Sequence, residues 1–136
     1  MKVIIAGSRY GVYHYFFEEK LKELFLNEDS PYGITEVISG CAAGVDTMAI
    51  NWAIKHDIPI VRFPANWENL GPKAGPLRNA DMAEYGDLLV AFFNENAENR
   101  GTKNMCKQMA DKKKKVIRFH EKLSRAKGLT LPPIPA

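Results

Sequence analysis

The run Ser39-Gly40-Cys41-Ala42-Ala43-Gly44-Val45-Asp46 joins an apolar strand-like segment, Thr35 to Ile38, to an apolar helix-like one, Val45 to Lys55. Small side chains at such a turn let the backbone come close to a ligand. The amides of the helix start beyond it have no intrahelical acceptor and suit an anion. A second turn of this kind, Ala6-Gly7-Ser8-Arg9, follows the first strand, and a third, Arg100-Gly101-Thr102-Lys103, opens a later helix. Together the three turns predict a phosphate-binding face and hence a nucleotide-handling domain.

Single residues sharpen that expectation. Arg9 stands at the rim of the expected crevice; its planar fork suits a bidentate clamp on phosphate or carboxylate, which is favoured over a plain surface cation. Asp46 falls in the first turn of the second helix. It either complements the helix dipole or takes a ribose hydroxyl or base amine, and both readings stay open. Lys73 and Arg78, on a long loop, would neutralise a phosphorylated ligand, with Asn79 beside them; the alternative is an Arg78–Asn79 pair that holds the loop down. Gly101 and Thr102 make a helix start whose hydroxyl caps the helix and whose amides can meet a phosphate. Trp67 either covers a base by stacking or plugs its loop onto the sheet edge. Cys41 reads as a small filler, since no partner base accompanies it. His14, His56 and His120 lack metal-ligand spacing, so no metal is expected.

These residues need a scaffold, and the chain alternates short apolar runs with helical patterns. Val3-Ile4-Ile5 precedes a helical stretch from Tyr13 to Leu26, with Phe16, Phe17, Leu21, Leu24 and Phe25 at helical spacing. Glu36-Val37-Ile38 and a helix from Val45 to His56 follow, then a strand from Ile58 to Phe63. Pro64 to Pro76 is a long connection rich in Pro and Gly, ahead of a helix from Leu77 to Glu84 with Pro76 at its start. The strand Asp87 to Phe92, the loop Asn94 to Arg100, a helix from Thr102 to Asp111 and the strand Lys115 to Phe119 complete the domain. This alternation predicts an α/β fold: a Rossmann-like, doubly wound parallel sheet of order 3-2-1-4-5 in a three-layer sandwich. All three Gly-containing turns then fall beyond the carboxyl ends of the strands, where such sheets bind ligands.

With 136 residues, 46% of them hydrophobic, the chain is long and apolar enough for one globular core. The domain is expected over residues 1–120 and a Pro-rich tail over 121–136. The formal charge of +3 is small and partly local, in Lys112-Lys113-Lys114-Lys115, which reads as a solvated helix end. Two cysteines without a disulfide spacing, no leader-like start and no membrane-length apolar run predict a reducing cytoplasm.

Gly7-Ser8-Arg9, Ser39-Gly40-x-Ala42-x-Gly44-x-Asp46, Phe63-Pro64-Ala65-x-Trp67, Ala74-Gly75-Pro76-x-Arg78-Asn79 and Gly101-Thr102 occur in the order seen in a known family. From Met1 to about Phe119 the chain resembles the YspA/cpYpsA-related family of the SLOG superfamily, which also holds the DprA-like and LOG proteins. The resemblance implies a Rossmann-like domain that binds a nucleotide or nucleotide-derived ligand, as a sensor or as an N-glycosidic hydrolase. Cys41 stands where such turns often carry Gly, so its backbone either avoids positive φ or carries strain. LOG-type hydrolases place a Glu three residues after the Gly-Thr pair, where this chain has Met105, so that acid does not carry over and the catalytic residues stay unknown. The leading expectation is therefore ligand binding; a nucleotide N-glycosidase or related transferase, and a single-strand nucleic-acid binder, are the alternatives. The last lacks the interleaved Arg and aromatic residues such binding uses. No cofactor is implied. The expected partner is a nucleotide-derived small molecule, not a membrane or a nucleic acid, and self-assembly of the chain stays open.

Overall fold

A computed structural model describes residues 1–121. The expected tail lies outside the described residues from residue 122 onward, and its first residue, Glu121, ends a strand. The strands β1 (Lys2–Gly7), β2 (Glu36–Ser39), β3 (Ile60–Arg62), β4 (Leu88–Asn94) and β5 (Lys115–Glu121) form one sheet in the order β3-β2-β1-β4-β5. Every pairing is parallel, as the alternating pattern predicts.

β1 and β4 lie at the centre and are continuous apolar runs because helices cover both their faces. Their side chains alternate between two cores. Val3, Ile5, Leu88, Val90 and Phe92 pack with Phe17 and Leu21 of α1 (His14–Leu21) and with Ala49 and Trp52 of α2 (Val45–Lys55). Ile4, Ala6, Leu89 and Ala91 pack on the opposite face with Met82 of α4 (Ala74–Tyr85) and with Met105 and Met109 of α5 (Arg100–Asp111). The result is the expected three-layer sandwich. No helix among the described residues is long and apolar enough to cross a membrane.

The structure revises several boundaries. The first helix turns into a π-helical segment at Lys22–Leu26, which brings Phe25 against Tyr32 and Trp52. The expected strand Ile58 to Phe63 narrows to Ile60–Arg62, because the Ile58 amide closes the end of α2 on the Ala53 carbonyl (2.9 Å). The long connection Pro64 to Pro76 is largely helical: α3 (Trp67–Leu70), a 3-10 turn (Gly71–Lys73), then α4 from Ala74. Pro76 sits inside the first turn of α4 rather than ahead of it, where its missing N–H removes no helical bond.

Lys112–Lys115 is more than a solvated face. Lys114 Nζ donates to the carbonyls of Ala83, Glu84 and Gly86 at 2.6, 3.0 and 2.8 Å, closing the carboxyl end of α4. Lys112 Nζ pairs with Glu84 at 2.7 Å.

Candidate ligand-binding crevice

The turns after β1 and β2 and the loop from β4 to α5 meet at the switch point between β1 and β4. Gly7 is required there by close approach. The Ser8 amide donates to the Phe92 carbonyl (3.0 Å) and the Val45 amide to the Ser8 carbonyl (3.1 Å), which clamps the turn between β4 and α2. A Cβ at Gly7 would lie 2.8 Å from Val45 Cγ2.

The Ser39–Asp46 run folds back on itself instead of presenting all its amides outward. The buried Ser39 Oγ donates to the Asp46 carbonyl (2.9 Å) and accepts from the Cys41 amide (3.1 Å). Asp46 Oδ2 accepts from the Ala42 amide at 3.1 Å. Three amides that a phosphate loop would offer, those of Cys41, Ala42 and Val45, thus already have acceptors. Cys41 carries the strain alternative: its φ is 66°, left-handed for a non-Gly residue. Cys41→Gly should therefore stabilise the fold slightly, by about 0.5 kcal/mol, because relief of left-handed strain exceeds the added chain entropy. Urea denaturation checks this, and a fall in stability would show that the thiol's contacts outweigh the strain.

Arg78 and Asn79 are engaged by the chain itself. Arg78 Nη1 donates to the Gly40 carbonyl and, at 3.3 Å, to the Phe63 carbonyl, while Nε donates to Asn79 Oδ1 (2.9 Å). Asn79 Nδ2 donates to the Gly101 carbonyl (3.1 Å) and to Asn104 Oδ1 (3.0 Å), tying α4 to the first turn of α5. Burial pushes the Asp46 carboxyl up to about 6, against the opposing pull of the Ala42 amide and the Arg78 and Arg9 guanidiniums. Burial likewise lowers Arg78, with the nearby Arg9 charge adding to the effect and Asp46 opposing it.

α5 opens differently from the expectation. Its cap is Asn99, in a left-handed conformation, and Thr102 lies buried in the first turn rather than capping it. Asn is among the few side chains that tolerate this backbone. The Asn99 side chain is held by the Ser8 hydroxyl and by the Asn94 and Ala97 carbonyls (2.8 and 2.9 Å), so it does not cap the helix amides. Those first-turn amides have no intrahelical acceptor and are available to an anion.

A cavity of about 640 Å3 opens between these parts. Gly7, Ser8, Arg9, Asp46, Arg78 and Asn79 line one side, Arg100, Gly101 and Thr102 another, and Met82 and Met105 supply an apolar wall. A smaller compartment of about 260 Å3 adjoins it, with Gly40, Cys41 and Ala42 in its wall. Trp67 lines both, the residue 49% exposed and its ring beside Gly75, so it stands at the rim and does not plug the sheet. The structure leaves three expected residues outside the lining. Ser39 is buried beneath the loop, Gly44 shapes its backbone, and the exposed Lys73 ends the 3-10 turn. Sequence reasoning missed Tyr10, which lines the cavity with 72% of its surface exposed, and the positioning role of Asn99. The Asn-rich loop ahead of α5 was the available signal for the latter. Among the described residues, no group of three or more His, Cys, Asp or Glu can hold a metal ion.

Two comparisons with known proteins bear on this chain. The gene 61 protein of Mycobacterium phage D29 is 33% identical over 99 residues, covering 68% of this chain and 77% of that protein. No solved structure matches the chain. A family model described as "YspA, cpYpsA-related SLOG family" matches residues 1–70, which carry the turns Gly7–Arg9 and Ser39–Asp46 but not Arg78, Asn79 or the start of α5. On that match the chain belongs to the YspA, cpYpsA-related SLOG family.

Proposed function

We propose that the crevice binds a nucleotide or nucleotide-derived ligand. The observation that carries this reading is the cavity of about 640 Å3 at the switch point, with Arg9, the uncapped first turn of α5 and an apolar Met82–Met105 wall around one space. Its volume falls in the usual range for small-molecule sites, roughly 300–1,000 Å3. The polar side suits phosphate and ribose, and the methionines and Trp67 suit the flat, apolar faces of a base. Family membership supports the same ligand class. A thermal-shift screen over nucleotides tests it, since a ligand that binds only the folded chain raises its melting temperature. Among the described residues, the Arg9 side chain makes no hydrogen bond to a neighbouring element, unlike that of Arg78. Arg9→Ala should therefore cut nucleotide affinity about tenfold or more, the loss of one charged hydrogen bond, and leave the melting temperature of the free protein unchanged. Equal affinity for the variant would move the anion site elsewhere.

A second reading, hydrolysis of a nucleotide's N-glycosidic bond, is favoured by one observation: a carboxyl lining the crevice whose burial pushes it up to about 6. Protonated Asp46 would give its proton to the departing base nitrogen as the C1′–N bond breaks. Water would add its oxygen to C1′ and return a proton to the carboxylate. Release of free base by the wild type but not by Asp46→Asn would establish this reading; intact nucleotide after long incubation would leave binding alone.

The same titration affects stability. The folded value lies above the ordinary 3.8, so the folded chain holds this proton more tightly than the unfolded one. The contribution is fully present below pH 3.8 and is lost as the pH rises through about 6. We expect wild-type stability to fall by on the order of 3 kcal/mol from this group across that window, and Asp46→Asn to remove that component. Parallel urea-unfolding profiles for the two proteins would contradict it. Lys112 and Lys114 are engaged at the carboxyl end of α4 and do not extend the cationic crevice. That supports a small ligand over a nucleic-acid strand, which needs a longer basic track.

A further inference from the structure

The two compartments share a waist. Arg9, Ala42, Trp67 and Arg78 line both the larger and the smaller cavity. Two guanidiniums therefore meet where the spaces join, close enough for the Arg9 charge to disfavour that of Arg78. Asp46 is the carboxyl acting on Arg78, one carboxyl between two cations. Such a like-charge pair attracts an anionic group at the junction.

The smaller compartment has a different character. Its remaining walls are Gly40, Cys41, Ala43, Pro64 and Ala65, which bring no Asp, Glu, Lys or Arg, with the Trp67 ring along one side. At about 260 Å3 it is below the range of roughly 300–1,000 Å3 typical of a whole small-molecule site, so it suits a fragment of a ligand. An uncharged ring, sugar or base, fits walls that offer an aromatic face and small side chains.

Resting on the proposed nucleotide-binding reading, we infer that the ligand has two parts: a nucleotide in the larger compartment, phosphate at the Arg9–Arg78 waist, and a neutral second moiety, linked through that phosphate, in the smaller compartment. The ligand class is a phosphate-bridged conjugate, such as a nucleoside diphosphate sugar or a dinucleotide, rather than a mononucleotide.

Calorimetric titration of the whole chain with AMP, ADP and ADP-ribose, and with GMP, GDP and a GDP-hexose, tests this. ADP and ADP-ribose share the nucleoside and diphosphate, so their difference reports the second moiety. We expect the conjugate of one series to bind at least tenfold more tightly than its parent diphosphate. Ala43→Leu and Ala65→Leu fill the smaller compartment alone, and each should abolish that gain while leaving diphosphate affinity within twofold. Melting curves confirm that each variant is folded, and either folded variant suffices. A diphosphate that binds as tightly as its conjugate, or a gain unaffected by the fillings, overturns the two-part ligand and leaves the nucleotide reading standing. No binding by any of the six compounds at millimolar concentration overturns both.

Discussion

Replacing Gly44 by Ala is expected to destabilise the fold by about 4 kcal/mol, the sum of a strained backbone and a core-like steric clash. Gly44 has φ 80° and ψ −127°, a conformation that L side chains rarely adopt. Its Cα also faces the backbone after β1: a Cβ would collide with the Arg9 carbonyl and lie 2.5 Å from the Ser8 oxygen. Neither strand turn can retreat, because the Val45 amide holds the Ser8 carbonyl at 3.1 Å. The damage would reach the crevice, since the same contact sets the position of Arg9. Urea denaturation of the purified variant measures the loss; a change below about 1 kcal/mol would show that the two turns yield far more readily than this packing implies.

Arg78→Ala is expected to cost about 3 kcal/mol of stability as well as ligand affinity. The guanidinium ties together the Gly40 turn, the end of the β3 segment at Phe63, and Asn79, and Asp46 loses a compensating positive charge with it. The carboxyl of Asp46 should then rise further, since its burial remains and one opposing influence is gone. Arg78→Lys would keep the charge but not the fork, so it should recover only part of the stability. Carbon-detected NMR titration of Asp46 follows the first effect and urea denaturation the second. Wild-type stability in Arg78→Ala would mean that these bonds are replaced by water without penalty.

The pair Arg9 and Arg78 shows what the sequence could and could not carry. Arg9, beside a Gly-containing turn, reads as a ligand clamp, and Arg78, on a long loop, reads either as a ligand clamp or as half of a structural pair with Asn79. Arg9 remains exposed at the rim, whereas Arg78 braces three separate segments, a distinction set by contacts 15 and 38 residues away that no local pattern encodes. The sheet order was legible because β1 and β4 are unbroken apolar runs, and edge strands such as β5 alternate. The segment Pro64 to Pro76 was not, because prolines and glycines that usually mark a loop here occupy a 3-10 turn and the first turn of α4, where a missing amide does no harm. Much of the Ser39–Asp46 run lines the two cavities. Its amides, though, are partly satisfied by Ser39 and Asp46 of the same run, so an anion is left to the Arg9 and Arg78 guanidiniums and to α5.

Whether a nucleotide occupies the crevice between β1, α4 and α5 is decided by titrating ADP into isotopically labelled protein and following its amide resonances. Shifts are expected to concentrate at Ser8, Arg9, Arg100, Gly101 and Thr102, with the Trp67 indole signal moving alongside them. Saturating shifts confined to Lys112–Lys115 and the carboxyl end of α4, with the crevice amides unmoved, would contradict that occupancy.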